Sequence, residues 1–297
     1  MTAGLLGIRN KLMVGFMLAL PFLYLGIMYV YPLSQLVYLS LRDFQPAFAT
    51  DDYVGWQNYL EILSAPAGQR TILRTFLYTG ICVSMSFLIG LAFALLTVTV
   101  GHTLARRWET ALRQVIILPM LFIPAASAVM WSFAYTEHYG WVNHLLHLLS
   151  FPTYPWLTSD AAFFLVMLTD IWGWTPFLYL ILLAGLQTLP QEPLDAAKVD
   201  GAGAWQTFWY VILPLLRPVI LIALTIKTLD TYRAFDYLWI MTRGGPGETS
   251  TTLNIMTYKT AFQRQEFGLA SAYGVITMLF PLLVVLLFLH FRRRVTE

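Results

Sequence analysis

The sequence predicts an all-α polytopic membrane protein with six transmembrane helices and with both termini in the cytoplasm. Composition is the first reason, because 58% of the 297 residues are hydrophobic and only 11% are charged, whereas ordinary globular domains are about 25% charged. Six apolar segments are the second reason, since a helix needs about 20 residues to cross the hydrocarbon core. The distribution of basic residues is the third. We expect residues 1–297 to form a single transmembrane domain.

The six predicted helices cover about 12–31, 76–100, 115–134, 161–186, 215–241 and 272–291. The first has basic residues in front of it, as a secretory signal does. Its apolar run is longer than that of a signal peptide, and no small-x-small cleavage pattern follows. We therefore expect it to be retained as a helix. The fifth segment differs from the others because its second half is polar.

Orientation follows from lysine and arginine, which accumulate in cytoplasmic loops. With the N-terminus inside, ten basic residues fall on the inner side and six on the outer side. The inner set is Arg9, Lys11, Arg106, Arg107, Arg113, Lys198, Arg217, Arg292, Arg293 and Arg294; the outer set is Arg42, Arg70, Arg74, Arg243, Lys259 and Arg264. The predicted outer loops, about 40–75, 135–160 and 242–271, are too short to be independent domains.

Few residues suggest metal, redox or nucleotide chemistry. Cys82 is the one cysteine, so no disulfide framework or cysteine-based zinc site forms within the chain. His144 and His147 are three residues apart, but no carboxylate or cysteine near them in sequence completes a metal site. No phosphate-binding Gly-x-x-x-x-Gly-Lys loop occurs, so the chain is not itself an ATPase. We predict no metal, no cofactor and no nucleic-acid partner.

A half-polar cytoplasmic segment at about 187–214 separates the fourth and fifth apolar segments. We predict a short helix over 191–200, ended by Gly201 in the left-handed conformation, and a second helix that runs from about Ala204 to Pro214. Ala196 and Ala197 are expected to be exposed beside Asp195 and to allow another surface to approach closely. The residues alone leave open whether this helix–turn–helix folds back on its own bundle or docks on a partner.

The same segment resembles the cytoplasmic signature of permease subunits of binding-protein-dependent ABC importers. That signature is Glu-Ala-Ala, three residues, Gly, nine residues and Ile-x-Leu-Pro. This chain has Asp195-Ala196-Ala197, then Gly201, then Val211-Ile212-Leu213-Pro214 in the same register. It departs from the signature with Asp195 for Glu, which is one methylene shorter, and with Val211 for Ile. The resemblance implies a coupling helix that docks on an ATP-hydrolysing subunit.

Two further stretches resemble carbohydrate-importer permeases related to the larger maltose-permease subunit. They are FDYLWIMTRGGPGETSTTL at 235–253 and DIWGWTPFLYLILLAGLQTLP at 170–190. The resemblance extends over most of the chain from about residue 76 and implies the type I ABC-importer transmembrane fold in a prokaryotic inner membrane. Its implied partners are ATPase subunits that bind ATP and Mg, a second permease subunit and an extracytoplasmic solute-binding protein. The Gly-Gly-Pro type suggests that the second permease is a paralogue.

Charges within the fifth segment are candidates for the substrate path, because an ionisable group in a membrane helix costs about 2.5–3.5 kcal/mol on the insertion scale. Lys227, Asp230, Arg233 and Asp236 are three residues apart and alternate in sign. They can line a path, or they can form an ion ladder that joins two subunits.

The fourth segment adds Asp170, Trp174 and Phe177, and Gly173 and Pro176 are expected to loosen its backbone. A sugar site needs hydrogen-bonding groups beside aromatic faces, at the break of a discontinuous helix near the midplane. By register with the resemblance, sugar-facing positions are Trp174, Phe177, Lys227, Asp230 and Thr231.

Three functional classes can be compared. An ABC-importer permease accounts for the coupling signature and implies alternating access powered by a separate ATPase. An ion-coupled secondary transporter would use Asp170, Asp230 and Asp236, but we find no inverted repeat. An intramembrane enzyme lacks a recognisable catalytic motif. The transported solute stays open among disaccharides, oligosaccharides, polyols and glycerol phosphate.

Overall fold

The computed structural model describes the backbone of residues 2–103 and 106–296, and the side chains of residues 13–101, 107–288 and 290. Six basic residues of the predicted inner set lie outside the described side chains: Arg9, Lys11, Arg106, Arg292, Arg293 and Arg294.

The described chain is predominantly helical. Its helices are α1 (Thr2–Leu25), α2 (Tyr31–Ser40), α3 (Gln57–Ser64), α4 (Pro66–Thr103), α5 (Arg106–Ile117), α6 (Pro124–Ala134), α7 (Trp141–Leu148), α8 (Ala162–Gln187), α9 (Gln191–Val199), α10 (Ala204–Thr207), α11 (Leu213–Tyr232), α12 (Asp236–Thr242), α13 (Leu253–Tyr258) and α14 (Phe267–Thr296). Wider π-helical segments are Gly26–Val30, Phe208–Ile212 and Lys259–Gln263, and tight 3-10 turns are Pro46–Phe48 and Leu118–Leu121. Two strands, β1 (Arg42–Gln45) and β2 (Thr50–Tyr53), form an antiparallel hairpin.

Within the described residues, five segments are long and apolar enough to span a membrane. They are Met13–Ser40, Pro66–Gly101, Ala162–Gln187, Ala204–Thr242 and Phe267–Phe288. Arg107–Leu121 and Pro124–Ala134 make a sixth if this pair counts as one span, although the two helices are bent by 95°.

The bend corrects the prediction of one continuous third helix over 115–134. Pro119 lies in the 3-10 turn that follows α5, and Ile123 is extended, with ψ of 148°, immediately before Pro124. Proline removes a backbone donor and disfavours the helical conformation in the residue before it. The two prolines therefore divide an apolar run that looks continuous in composition.

The fold forms two compact units. The first consists of Met1–Pro66 and Thr257–Ile276. In it, Asn58 of α3 is buried and donates to the carbonyl oxygens of Ser40 and Arg42, both at 2.9 Å. The hairpin, α3 and residues 66–75 of α4 thus lie within the predicted outer loop 40–75.

The second unit consists of Ala67–Met256 and Thr277–Glu297. Its buried side chains form two apolar clusters, one that includes Tyr78, Val166 and Leu238 and one that includes Leu178, Leu182 and Leu216. Helices α4 and α8 approach closely at Gly90, where an added Cβ would lie 3.1 Å from the Cβ of Leu178. These contacts hold α8 at the centre of the unit.

One prediction about the central helices is also corrected. Helix α8 is continuous from Ala162 to Gln187 and contains Gly173 and Pro176. The predicted fifth helix is divided, because α11 ends at Tyr232 and α12 begins at Asp236. Consequently the alternating charges from Lys227 to Asp236 do not lie on one uninterrupted helix.

Candidate functional site: a cavity at the break between α11 and α12

A cavity of about 330 Å³ lies where α11 gives way to α12. Its volume is within the range of small-molecule sites, about 300–1,000 Å³. The break itself, the end of α11 and the start of α12 supply most of its wall, and α8 and the start of α6 supply the rest. The lining residues are Pro124, Asp170, Trp174, Asp230, Arg233, Ala234, Phe235, Asp236 and Tyr237.

The backbone at the break keeps local hydrogen bonds. The backbone N–H of Arg233 donates to the carbonyl oxygen of Asp230 at 3.1 Å, and that of Ala234 donates to the carbonyl oxygen of Thr231 at 3.0 Å. These bonds tighten the last turn of α11. Phe235 then leaves the helical conformation with φ of −130°, and α12 starts behind it. Because these groups satisfy the freed donors, a short irregular segment is tolerated beside the cavity.

An ion pair is buried next to the cavity. Lys227 Nζ lies 2.5 Å from Asp170 Oδ1, and the two side chains are 0% and 1% exposed. The hydroxyl of Tyr78 donates to the second oxygen of Asp170 at 3.2 Å. The three residues belong to α11, α8 and α4, so one polar cluster joins three helices. Removing one member of such a pair leaves an uncompensated buried charge.

Trp174 connects this ion pair with the cavity. The ammonium of Lys227 lies over the indole, 5.0 Å from its centroid, which is a cation–π distance. Phe177 meets the same indole edge-on at 5.6 Å between centroids. The indole of Trp174 lines the cavity, whereas Lys227 and Phe177 do not.

The structure brings five of the eight predicted substrate-path residues to the cavity: Asp170, Trp174, Asp230, Arg233 and Asp236. The other three lie outside its lining. Phe177 packs against the core cluster that contains Leu178. Lys227 is buried in the ion pair, and the hydroxyl of buried Thr231 makes no hydrogen bond in the described structure.

The charge row also differs from a regular ladder. Arg233 and Asp230 are 3.9 Å apart and partly exposed, so their interaction is weakened by solvent. Lys227 pairs with Asp170 of another helix and not with Asp230, three residues along its own. Cross-helix packing therefore separates one buried pair from two carboxylates, Asp230 and Asp236, that face the cavity.

Sequence reasoning did not identify several residues of the site. The cavity is also lined by Pro124, Ala234, Phe235 and Tyr237. Tyr78 donates a hydrogen bond to the buried carboxylate of Asp170. Tyr78 lies in an apolar run where nothing in the pattern distinguishes it. Phe235 and Tyr237 flank Asp236 in the stretch 235–253, and this adjacency was a signal for both of them.

The half-polar segment at 187–214 has the predicted first helix and turn, and its second helical part continues through the π-helical segment Phe208–Ile212 into α11. Helix α9 ends in a Schellman motif, in which Ala202 N–H donates to Ala197 O at 2.9 Å and Gly201 N–H to Lys198 O at 3.1 Å. Gly201 has φ of +72°, the left-handed conformation that was predicted. The second helix starts at Ala204, where the Gln206 side chain accepts from Gly203 N–H at 2.9 Å. Leu213 and Pro214 open α11.

The predicted exposure of Ala196 and Ala197 beside Asp195 on α9 is confirmed only in part. Asp195 and Lys198 pair at 2.8 Å and are both exposed, and Ala196 is exposed. The expectation for Ala197 is wrong, because it is 8% exposed. Helix α9 packs against the π-helical segment Phe208–Ile212, so part of its surface is covered.

Histidine and carboxylate side chains form no candidate metal centre in the part of the chain that the structure describes. His144 and His147 are both exposed on α7.

Residues 10–297 match the family model described as the binding-protein-dependent transport system inner membrane component. The trehalose/maltose transport system permease protein MalF of Thermococcus litoralis is 32% identical over 94% of this chain and 95% of that protein. The sulfoquinovosyl glycerol transport system permease protein SmoG of Agrobacterium fabrum is 34% identical over 97% of this chain and 92% of that protein.

A solved structure shows the same fold. The crystal structure of a bacterial alginate ABC transporter, in complex with alginate pentasaccharide-bound periplasmic protein, contains a chain that matches with a TM-score of 0.81. The two chains are 20% identical, and the match covers 98% of this chain and 97% of that one. At this identity the likeness concerns the fold, which is that of type I ABC-importer permeases.

The chain belongs to the family of binding-protein-dependent transport system inner membrane components. It is thus a multi-pass membrane protein and an ABC transporter permease, as the cytoplasmic signature indicated. Family membership does not favour the ion-coupled secondary transporter.

Proposed function

We propose that this permease imports a sugar or sugar-like solute through the cavity at the α11–α12 break. The cavity is the observation that carries the proposal, because it combines carboxylates and a guanidinium with aromatic side chains. Sugars present hydroxyl groups at their edges and apolar C–H groups on their ring faces. Asp230, Arg233 and Asp236 supply hydrogen-bonding groups for the edges, and Trp174 supplies an apolar face. The two relatives named above, with sugar substrates in their names, support the same substrate class.

The energy for import comes, in this proposal, from separate ATPase subunits that bind ATP and Mg, so the chain is a non-catalytic translocation subunit. Helix α9 docks on the ATPase through its exposed face, which includes Asp195 and Ala196. Closure of the ATPase moves α9 and rocks the permease between outward-open and inward-open states. The Schellman turn at Gly201 carries this motion into α11, and α11 ends at the cavity.

The remaining parts of the proposal follow from this role. The 297 residues act as one permease domain in a prokaryotic inner membrane, with six spans and both termini in the cytoplasm. A second permease subunit, a paralogue, supplies the other half of the pathway. An extracytoplasmic solute-binding protein delivers the sugar, and the chain itself binds no cofactor.

Uptake measurements test the function. The gene is deleted from its host, and uptake of radiolabelled maltose, trehalose and glycerol phosphate is compared before and after complementation. Uptake that returns only with the chain, requires internal ATP and survives collapse of the proton and sodium gradients is the expected result. Ion-driven uptake in vesicles without ATP would overturn the ABC mechanism. If an expressed, membrane-inserted chain restored no sugar uptake, the substrate class would be wrong.

Affinity purification tests the partners. The tagged chain, extracted in mild detergent from its host, is expected to retain an ATPase and a different permease subunit. Recovery of the chain with only further copies of itself would contradict the proposed assembly.

A further inference from the structure

The buried ion pair next to the cavity has no role in the proposed function so far. Lys227 and Asp170 are 0% and 1% exposed and neutralise each other at 2.5 Å, and only Asp170 of the two reaches the cavity lining. Replacing a buried ion pair by apolar groups of similar size is often neutral or even stabilising. A contribution to stability therefore does not by itself explain why this pair is present.

The geometry concerns the indole of Trp174. Lys227 Nζ lies over this ring at 5.0 Å from the centroid, and Asp170 holds the ammonium in place. Tyr78 in turn holds the other oxygen of Asp170 at 3.2 Å. A lysine side chain has four rotatable bonds, so a free ammonium would not keep one position over a ring. With the carboxylate fixed by α4 and α8, the ammonium becomes a fixed contact for the indole.

The indole is also the aromatic group of α8 that reaches the cavity. Phe177, edge-on to Trp174 at 5.6 Å, limits the ring on a second side. Trp174 also lines the cavity, together with Asp230 and Phe235. A flat apolar surface in a defined orientation beside a carboxylate suits a pyranose ring, which presents C–H groups on one face and hydroxyls at its rim.

We propose that Asp170 and Lys227 are positioning residues that hold the Trp174 indole as a stacking platform for the ring face of a sugar. This inference rests on the proposed function and deepens it: the substrate is a cyclic sugar that stacks on Trp174, and the ion pair acts through the indole. An acyclic polyol or glycerol phosphate has no ring face and gains nothing from this platform.

The test uses the variant Asp170→Asn/Lys227→Met, in which both charges are removed together. Asp170→Asn alone leaves the lysine charge buried without its partner and can prevent folding, whereas the double variant is uncharged and keeps an acceptor for Tyr78. Thr97→Val is the matched control. It removes a buried hydrogen bond between α4 and α8, which joins the Thr97 hydroxyl and Tyr179 Oη at 3.1 Å. Neither residue lines the cavity.

The position of the indole is measured first, without any sugar. The purified chain carries fluorotryptophan, and the Trp174 signal in the fluorine NMR spectrum is the one that Trp174→Phe removes. We expect one sharp Trp174 signal in the wild type and in Thr97→Val. In the double variant it should broaden or split, because the released ring adopts more than one rotamer. A single sharp signal in the double variant would overturn the positioning role.

Transport is measured second, with radiolabelled maltose and trehalose and the complete transporter. We expect the double variant to raise KM about tenfold, equivalent to about 1.4 kcal/mol, with the maximal rate within about twofold of wild type. A purely structural role would instead lower the maximal rate and the amount of inserted protein. Thr97→Val should leave KM unchanged.

The same assay asks whether the pair acts through the indole. Adding Trp174→Leu to the double variant should raise KM no further than Trp174→Leu alone, because residues that act through one group are non-additive. Additive effects would overturn the inference even if sugar import is confirmed. If the wild type takes up neither maltose nor trehalose, the sugar platform falls with the proposed substrate class, and the NMR result still decides whether the pair positions Trp174.

Discussion

Gly173 provides a sharp test of how α8 and α12 pack beside the cavity. A Cβ added at Gly173 would lie 2.5 Å from the hydroxyl oxygen of Tyr237 and 3.5 Å from its Cζ. The first distance is far inside van der Waals contact, whereas the second is an ordinary one. Tyr237 is buried in the core of the second unit, so its ring has little room to move. Gly173→Ala is therefore expected to push α12 away from α8.

The size of the effect follows from these distances. Overpacking in a close-packed interior costs about 1–3 kcal/mol. At an unobstructed helix position the same substitution gains about 0.5–1 kcal/mol, because alanine loses less backbone entropy than glycine. Gly80 of α4 is such a position, since an added Cβ there meets no atom within 4 Å. Both positions are helical, so this gain is common to the two variants, and we expect Gly173→Ala to be less stable than Gly80→Ala by the overpacking cost of about 1–3 kcal/mol.

A second-site change separates this clash from a general need for glycine. Tyr237→Phe removes the hydroxyl that is in the way and leaves Cζ at a permitted distance. Gly173→Ala/Tyr237→Phe should therefore recover most of the lost stability and uptake, relative to Tyr237→Phe alone. Thermal unfolding in detergent and sugar uptake measure the four members of this cycle. If Tyr237→Phe restores nothing, or if Gly173→Ala melts with Gly80→Ala, the assigned packing is wrong.

Three further predictions concern other parts of the chain. Gly201→Asp should leave the protein inserted while ATP hydrolysis continues with little uptake, because it places a charged side chain at the turn after α9. Gly201→Asn is the milder control, since asparagine is uncharged and tolerates positive φ. Normal coupling of ATP hydrolysis to uptake in the Asp variant would contradict a coupling role for this turn. Gly268→Ala should abolish accumulation of folded protein, because the added Cβ would collide with the carbonyl oxygen of Arg42. Since this oxygen belongs to the backbone, no second side-chain substitution can remove the clash. Normal accumulation of the variant in membranes would contradict this prediction. Asn143→Ala should make the loop 135–160 sensitive to protease, because the Asn143 side chain makes hydrogen bonds with the backbone of Thr136, Glu137 and Tyr154 and with the indole N–H of Trp156. At about 1 kcal/mol per net hydrogen bond, the loss of stability is several kcal/mol. The control is the exposed substitution His144→Ala, and equal cleavage of the two variants would contradict the prediction.

Several features of this protein were determined by sequence alone, because their causes are local. Apolar length predicted the long helices, and the fourth was placed within one residue of α8 (Ala162–Gln187) at each end. The turn at Gly201 was predictable because glycine tolerates positive φ and a Schellman motif needs it. The spacing from Asp195 to Pro214 identified the family, which the comparisons confirmed. Each of these depends on residues within one continuous segment of the sequence.

The tertiary structure decided which charges meet and which surfaces remain open. Lys227 is three residues from Asp230, yet its partner is Asp170 of α8, since burial favours the carboxylate that a neighbouring helix and Tyr78 hold in place. The pattern gave Ala197 the same exposure as Ala196, whereas in the structure Ala197 is buried and α9 packs against the segment Phe208–Ile212. The cavity arises because α11 stops at Tyr232, and its walls come from segments as far apart in sequence as Pro124 and Tyr237. Helix periodicity describes the faces of one helix, whereas ion pairing and cavity shape depend on how several helices approach one another.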